Sequence, residues 1–549
     1  MRFRWLAIVL VVSFGFVSLY AEIPKWATQQ LSLRSLIHES ITETQKWQNE
    51  DGAIYKRLNM YRWDDEVEIF YSWLALYYLT GDEGIYESVK KNALHYIQRG
   101  VDADMFDHGY YKDAWFDTEH TIEGLITLAS LAWAKPGDSQ VIEALEDIVE
   151  HAGNWVQGYA PWTAEETHLM RSTRPGTRKV ESSGSAAIDW VFNLQFAKMA
   201  MAAYHATHKE RYLTWCRNYV EAWISIMEKN FQENGYYVIP SSVDPYTGEI
   251  GPYSGVWWQS KFGTGWGWDT KGNNGNRDMR GAFLDLYRLT TDIQYLQALK
   301  RQIQTLFNEG DKNRPAHKFD GQSWIDDDDK VTVAMAVQIS LLDQQTDEAF
   351  DDFINNWYLS LRYPYPDMHM WCFQKYGGLD KIDEINQYAK YSARNALEVI
   401  KALTGIPGPP DDWPRVGGMQ GLTLVPFGGV QALRGEMPWM EVMYFKQDRS
   451  LGLDEGVAAL FQKNDPDYKL FSICNTNQQD KTVWVQAGYL ARPIRRVFVE
   501  GQPATHLDGF LAKLVVPAQS NIQVRLELGE PDTTPPAPPQ NLDLAAIPQ

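Results

Sequence analysis

The sequence predicts a mainly α chain followed by a smaller β domain. Three observations predict it. From about residue 27 to 404, apolar residues recur with the helical period in roughly twelve segments. These segments alternate between an apolar kind and an amphipathic kind with charged faces, and short polar turns join them in pairs. After Gly405 the texture changes to short alternating and β-branched runs separated by turn residues.

The apolar set covers about 64–79, 118–134, 187–206, 277–290, 328–342 and 385–403. Helices apolar nearly all round belong inside a structure. The amphipathic set covers about 27–47, 84–99, 139–155, 209–229, 293–308 and 347–361 and belongs outside. Within a pair the turns are short, as in Thr80-Gly81-Asp82-Glu83 and Lys135-Pro136-Gly137-Asp138, which makes the two helices antiparallel neighbours. The return connections, about 100–117, 156–186, 230–276, 309–327 and 362–384, are long and rich in Gly, Pro, Trp and Tyr. All of them emerge where the inner helices begin. Six inner and six outer helices with long loops on one rim describe an (α/α)6 toroid over residues 22–406. An open α-solenoid is the competing arrangement, and the buried inner helices and uneven loops speak against it.

Pro407-Gly408-Pro409-Pro410 marks a linker over 407–414, and 415–529 reads as an antiparallel β-sandwich. Its expected strands include Leu422–Val425, Leu470–Ile473, Thr482–Gln486, Arg496–Val499, Ala512–Val516 and Ile522–Leu526. Residues 530–549 form a Pro-rich tail, similar to the leader that precedes fibronectin-type modules in bacterial surface proteins. At the other end, Arg2 and Arg4 precede an apolar run from Trp5 to Tyr20, and Ala21 suits cleavage. Residues 1–21 therefore read as an export signal, and the mature chain as secreted, periplasmic or cell-surface, with no membrane association beyond export.

The formal net charge of -20 disfavours nucleic acid as a partner. Three cysteines, Cys216, Cys372 and Cys474, are too few and too scattered for a disulfide framework or a thiolate zinc site. The 22 tryptophans exceed what packing alone asks for, and exposed indoles stack on flat faces such as sugar rings. In layout the chain resembles the toroid glycan-degrading enzymes, the glycoside hydrolases and polysaccharide lyases. The resemblance lies in the export signal, the aromatic-rich rim and the following sandwich. It implies an oligo- or polysaccharide as partner. No motif of one family matches, so no catalytic residue is carried over.

The rim offers six stations for chemistry. The first is Trp63-Asp64-Asp65-Glu66; three adjacent carboxylates exceed what a helix cap needs. The second is Trp115, Asp117, Glu119 and His120, with Glu123 one turn on. Here Asp117 also suits an N-cap. The third is Glu181 with Asp189-Trp190. The fourth joins Trp257, Trp258, Trp266 and Trp268 to Asn273, Asn274 and Arg277. The fifth holds His317, Trp324 and the run Asp326 to Asp329, which suits a solvated helix start or a weak calcium site. The sixth is His369 and Trp371 with Tyr388 and Tyr391.

A hydrolase needs two carboxyls flanking the scissile bond. The preferred pair takes Asp64 or Asp65 from the first station and Asp117 or Glu119 from the second. The Trp-rich loop over 253–268 would form the stacking wall. A lyase instead needs a uronate neutraliser and a proton carrier. Asn273, Asn274, Arg277, Arg171 and Arg174 serve the first need; His120, His369, Tyr388 and Tyr391 serve the second. Neither chemistry requires a cofactor, and no metal ligand is assigned. Two other classes use the same ingredients: a non-catalytic glycan-binding surface protein, and an α-toroid cyclase, whose cleft would be nearly free of charge.

Overall fold

The computed structural model describes residues 22–54, 66–67, 70, 73–235, 237–240, 242–250, 273–308, 318–319, 322–323, 347–352, isolated positions between 336 and 398, and 434–529 apart from 439, 505, 506 and 509. The helices are α1 (Lys25–Gln45), α2 (Leu74–Thr80), α3 (Glu83–Asp102), α4 (Thr118–Leu125), α5 (Thr127–Ala134), α6 (Ser139–Ala152), α7 (Leu194–Thr207), α8 (Glu210–Asn234), α9 (Asn273–Thr290) and α10 (Ile293–Asn308). The expected export signal, strand Leu422–Val425, Pro-rich tail and most of the expected helices 328–342, 347–361 and 385–403 lie outside the described residues. No described helix is long and apolar enough to cross a membrane.

Turn chemistry sets the hairpins. Gly81 takes a left-handed conformation after α2, and Asp82 then caps α3 by accepting from the Gly84 N–H at 2.9 Å. Asp138 does the same for α6 through Val141. The apolar helices α5 and α7 are buried almost throughout, and each packs on its neighbour; α7 also packs on α9. Helices α6, α8 and α10 lie outside them, one beside each inner partner. This two-layered arrangement is that of an α/α toroid.

Two expectations shift in detail. The helix expected over 118–134 is divided at Ile126, where Ala129 N–H bonds Ile126 O at 3.0 Å in a tighter turn. The helix expected over 187–206 starts only at Leu194, because Asp189 and Trp190 pair with Ser242 and Val243 as a two-stranded ribbon.

The β-sandwich is antiparallel, as expected. One sheet has four strands, in the order Leu507–Asp508, Leu511–Val516, Lys481–Ala487 and Val442–Phe445. The other has five, in the order Gln502–Ala504, Ile494–Val499, Ser520–Leu528, Tyr468–Asn475 and Val457–Asn464. The sandwich sits at the C-terminal ends of the inner helices. Leu453 N–H bonds Leu79 O at 2.7 Å, and the Tyr489 hydroxyl donates to Trp133 O at 2.5 Å and meets His205 at 3.2 Å. Helix α1 also packs on it: Arg34 donates to Asp454 O and Val457 O, and Trp26 and Ala27 cluster with Ala458, Leu460 and Cys474.

Just ahead of the sandwich, Arg434–Pro438 runs along the inward faces of three successive inner helices. An irregular segment among helices has no ladder to satisfy its peptide groups. Side chains from each helix supply the partners. Gly435 N–H donates to Ser130 Oγ at 2.8 Å, and Trp133 Nε1 donates to Gly435 O at 3.1 Å. Lys198 of α7, fully buried, donates to Arg434 O at 3.0 Å and to Glu436 at 3.1 Å. Asp285 of α9 accepts from Met437 N–H at 2.7 Å, and Arg288 donates to Met437 O and Pro438 O. Gly435 has φ +77°, and a Cβ there would lie 2.5 Å from Ile126 Cδ1, at the point where the α4–α5 helix is divided. Gly435→Ala therefore combines left-handed strain with overpacking. It should cost about 2–4 kcal/mol in urea unfolding of the full chain.

Candidate functional site

The start of α4 is held by residues brought from far along the chain. Thr118 N–H donates to Thr173 O at 2.8 Å, and its hydroxyl donates to Asn193 Oδ1 at 2.8 Å. Trp190 Nε1 approaches Thr118 Oγ1 at 2.6 Å and Asn193 Oδ1 at 2.8 Å. Asn193 in turn donates to Asp189 at 2.8 Å, and Asp189 also accepts from Met170 N–H and the Tyr219 hydroxyl. Every member of this network is buried. It fixes where α4 begins, and with it the residues that face the rim.

Those residues are Asp117, Glu119 and His120. Asp117 caps α4 by accepting from His120 N–H at 3.2 Å, and the same oxygen lies 2.7 Å from His120 Nδ1. Asp117 is thus both cap and histidine partner, an arrangement that fixes the imidazole in one orientation. Donor atoms of Asp117, Glu119 and His120 all fall within 4.8 Å of one another. A cation would need such spacing, and the hydrogen bond between Asp117 and His120 accounts for two of the three without one. Asp117 and Glu119 are half-buried, whereas His120 is exposed. Two residues ahead of the cap, the Trp115 indole is 59% exposed, an unusual position for so large an apolar ring.

The remaining expectations divide four ways. Glu66, Asp189 and Glu123 are buried and serve the framework. Glu66 accepts from Ile54 N–H at 2.8 Å and from Asn92 at 2.9 Å; Glu123 pairs with Arg434. The loop over 168–179, basic through Arg171, Arg174, Arg178 and Lys179, is mostly stitched down. Arg171 donates to the Tyr246 hydroxyl and Pro161 O, Arg178 binds Asp107, and Lys179 faces Glu181. Arg174 stays exposed, one residue after the carbonyl that Thr118 N–H binds. Asn273, Asn274 and Arg277 fall on the first turns of α9. Trp63, Asp64, Asp65, Trp257, Trp258, Trp266, Trp268, His369, Trp371, Tyr388 and Tyr391, together with His317, Trp324 and the run Asp326 to Asp329, lie outside the described residues. Sequence reasoning did not single out Arg434 or Lys198; a lysine amid the apolar α7 run Leu194–Tyr204 was the available signal.

A family model described as a domain of unknown function (DUF8034) matches residues 17–179 and 150–397, and the chain belongs to this family. No curated protein matches the chain in sequence. Similar solved structures include an inactive variant of an alpha-1,6-mannanase from Salegentibacter sp. in complex with alpha-1,6-mannotriose; the match has 14% identity and a TM-score of 0.38 and covers 73% of this chain and 98% of that one. Another is an unsaturated glucuronyl hydrolase specific for heparin, at 14% identity and TM-score 0.37, covering 69% of this chain and 98% of that one.

Burial pushes the Asp189 carboxyl up to about 8, with the hydrogen bonds from Asn193, Met170 and Tyr219 pulling the other way. In the folded chain it holds its proton to that pH; unfolded, it loses it near the ordinary value of about 3.9. Its contribution to stability is full below the ordinary value and is lost as pH rises toward about 8. Asp285, pushed up to about 7 by burial, acts with the same sign. Urea unfolding should therefore show stability falling across this window. Asp189→Asn should flatten the upper part of the slope.

Proposed function

We propose that this chain is an exported glycan-cleaving enzyme whose cleft lies over the rim of the toroid, and that it works as a hydrolase. One observation carries the reading. A hydrogen-bonded Asp117–His120 pair and the Glu119 carboxyl sit at the start of a buried helix, two residues from an exposed indole. Exposed aromatic rings beside carboxyls suit a sugar ring stacked on one face with its glycosidic oxygen within reach of an acid.

In this reading Glu119 supplies one of the two carboxyls. Asp64 or Asp65, from the first rim station of the sequence, supplies the other. One carboxyl, protonated, donates to the leaving-group oxygen as the C–O bond breaks, and the other activates water or attacks the anomeric carbon. Asp117 orients His120 and keeps the helix start in place, and Trp115 seats the sugar. The mechanism invokes no cofactor.

The Asp117–His120 pair supports a second reading. A carboxylate-held imidazole is suited to removing a proton beside a uronate carboxylate, with the exposed Arg174 guanidinium neutralising that carboxylate. That chemistry is a lyase's.

Digestion of neutral, uronate-rich and sulfated polysaccharides by the full chain separates the two. Reducing ends without ultraviolet absorbance from an unsaturated product support hydrolysis, and reducing ends with it support elimination. Glu119→Gln should lower hydrolysis by about a hundredfold or more. Trp115→Ala should raise KM about three- to tenfold, the loss of one ring contact. Full activity of Glu119→Gln would remove Glu119 from the carboxyl pair.

A further inference from the structure

Buried ionic groups need a reason, since a well-packed apolar replacement is often at least as stable. Arg434 is only 5% exposed, and its guanidinium pairs with Glu123, itself 8% exposed. Glu123 stands four residues after Glu119 and three after His120 on the same helix. Both spacings place it on their face, about one turn deeper, some 4.5–6 Å along the axis. The carboxyl under the candidate site is therefore met by a cation that no part of the helical hairpins provides.

The pair continues into a chain of alternating charge. Glu436 accepts from Arg434 N–H at 2.9 Å and from Lys198 at 3.1 Å. Asp285, on the same segment through Met437, has Arg288 and Lys198 beside it. Three carboxyls and three cations alternate along the segment from the rim side toward the sandwich. Without Arg434, Glu123 would be an uncompensated negative charge one turn below Glu119, disfavouring the ionised form of both.

We infer that Arg434 is a positioning residue of the candidate site, delivered by the segment that leads into the sandwich: it seats Glu123 and balances the charge one turn below Glu119 and His120. The inference rests on the proposed location of the site. It makes the sandwich the anchor of a segment that completes the floor of the cleft, rather than an appended module.

The test uses the full chain labelled on its histidine rings, with the His120 signal assigned by its loss in His120→Gln. Glu123→Gln leaves the guanidinium uncompensated. The His120 titration should move down by about half a pH unit or more. Glu123→Gln combined with Arg434→Met removes both charges and should return it. A folded Glu123→Gln chain whose His120 titration does not move overturns the inference. Should Glu123→Gln not fold, the double variant, which buries no lone charge, serves alone. With the charges balanced but the ion pair that holds the turn below Glu119 gone, its kcat for glycan cleavage should fall at least tenfold with KM within twofold of the parent, and an unchanged kcat overturns the inference. Full activity of Glu119→Gln would count against the site's location and leave the titration result standing.

Discussion

The structure depends on an irregular segment with no strand to pair with. Arg434–Pro438 lies among helices whose own peptide groups are already bonded, so its N–H and C=O groups look to side chains. Ser130, Trp133, Lys198, Asp285 and Arg288 provide them, from three successive inner helices. Each is a polar group that would be costly to bury without the segment, and the segment would be costly to bury without them. The mutual requirement fixes the register of the segment and the rotation of each helix together. Gly435 allows the approach, because any side chain there would meet Ile126.

Much of the helical layer was legible in the sequence, for local reasons. Ile293–Asn308 falls where its amphipathic pattern places it, and Asp82 and Asp138 cap the helices that their short turns announce. Strand Tyr468–Asn475 contains the expected run Leu470–Ile473, while its neighbour Val457–Asn464 escaped notice because five successive buried residues leave no alternation to read. The start of α7 was placed too early for a similar reason: an apolar run reads alike as helix or as buried ribbon, and pairing with Ser242 and Val243 decided the matter.

The candidate site divides along the same line. Asp117, Glu119 and His120 were legible because the cap, its partner and the first turn are adjacent in sequence. What holds them was not. Thr118, Asn193, Trp190 and Asp189 form one network across two loops, and Asp189, which looked like a rim carboxyl, is its buried centre. Lys198 could be seen as odd but not as explained, since its partner Glu436 lies far along the chain beyond the helical region.

The late position of Arg434–Pro438 also bears on how the molecule comes to be folded. The inner helices α4, α5, α7 and α9 are complete long before this segment leaves the ribosome, yet Lys198, Asp285 and Arg288 have no native peptide partner until it arrives. The helical hairpins can form early from local contacts, but closing their interior waits on a contact of very long sequence separation. In the interval the nascent chain exposes apolar helix faces around uncompensated charges, the kind of intermediate that chaperones retain and that aggregates when they do not. For this chain, synthesis of the C-terminal region is the step that ends that exposure.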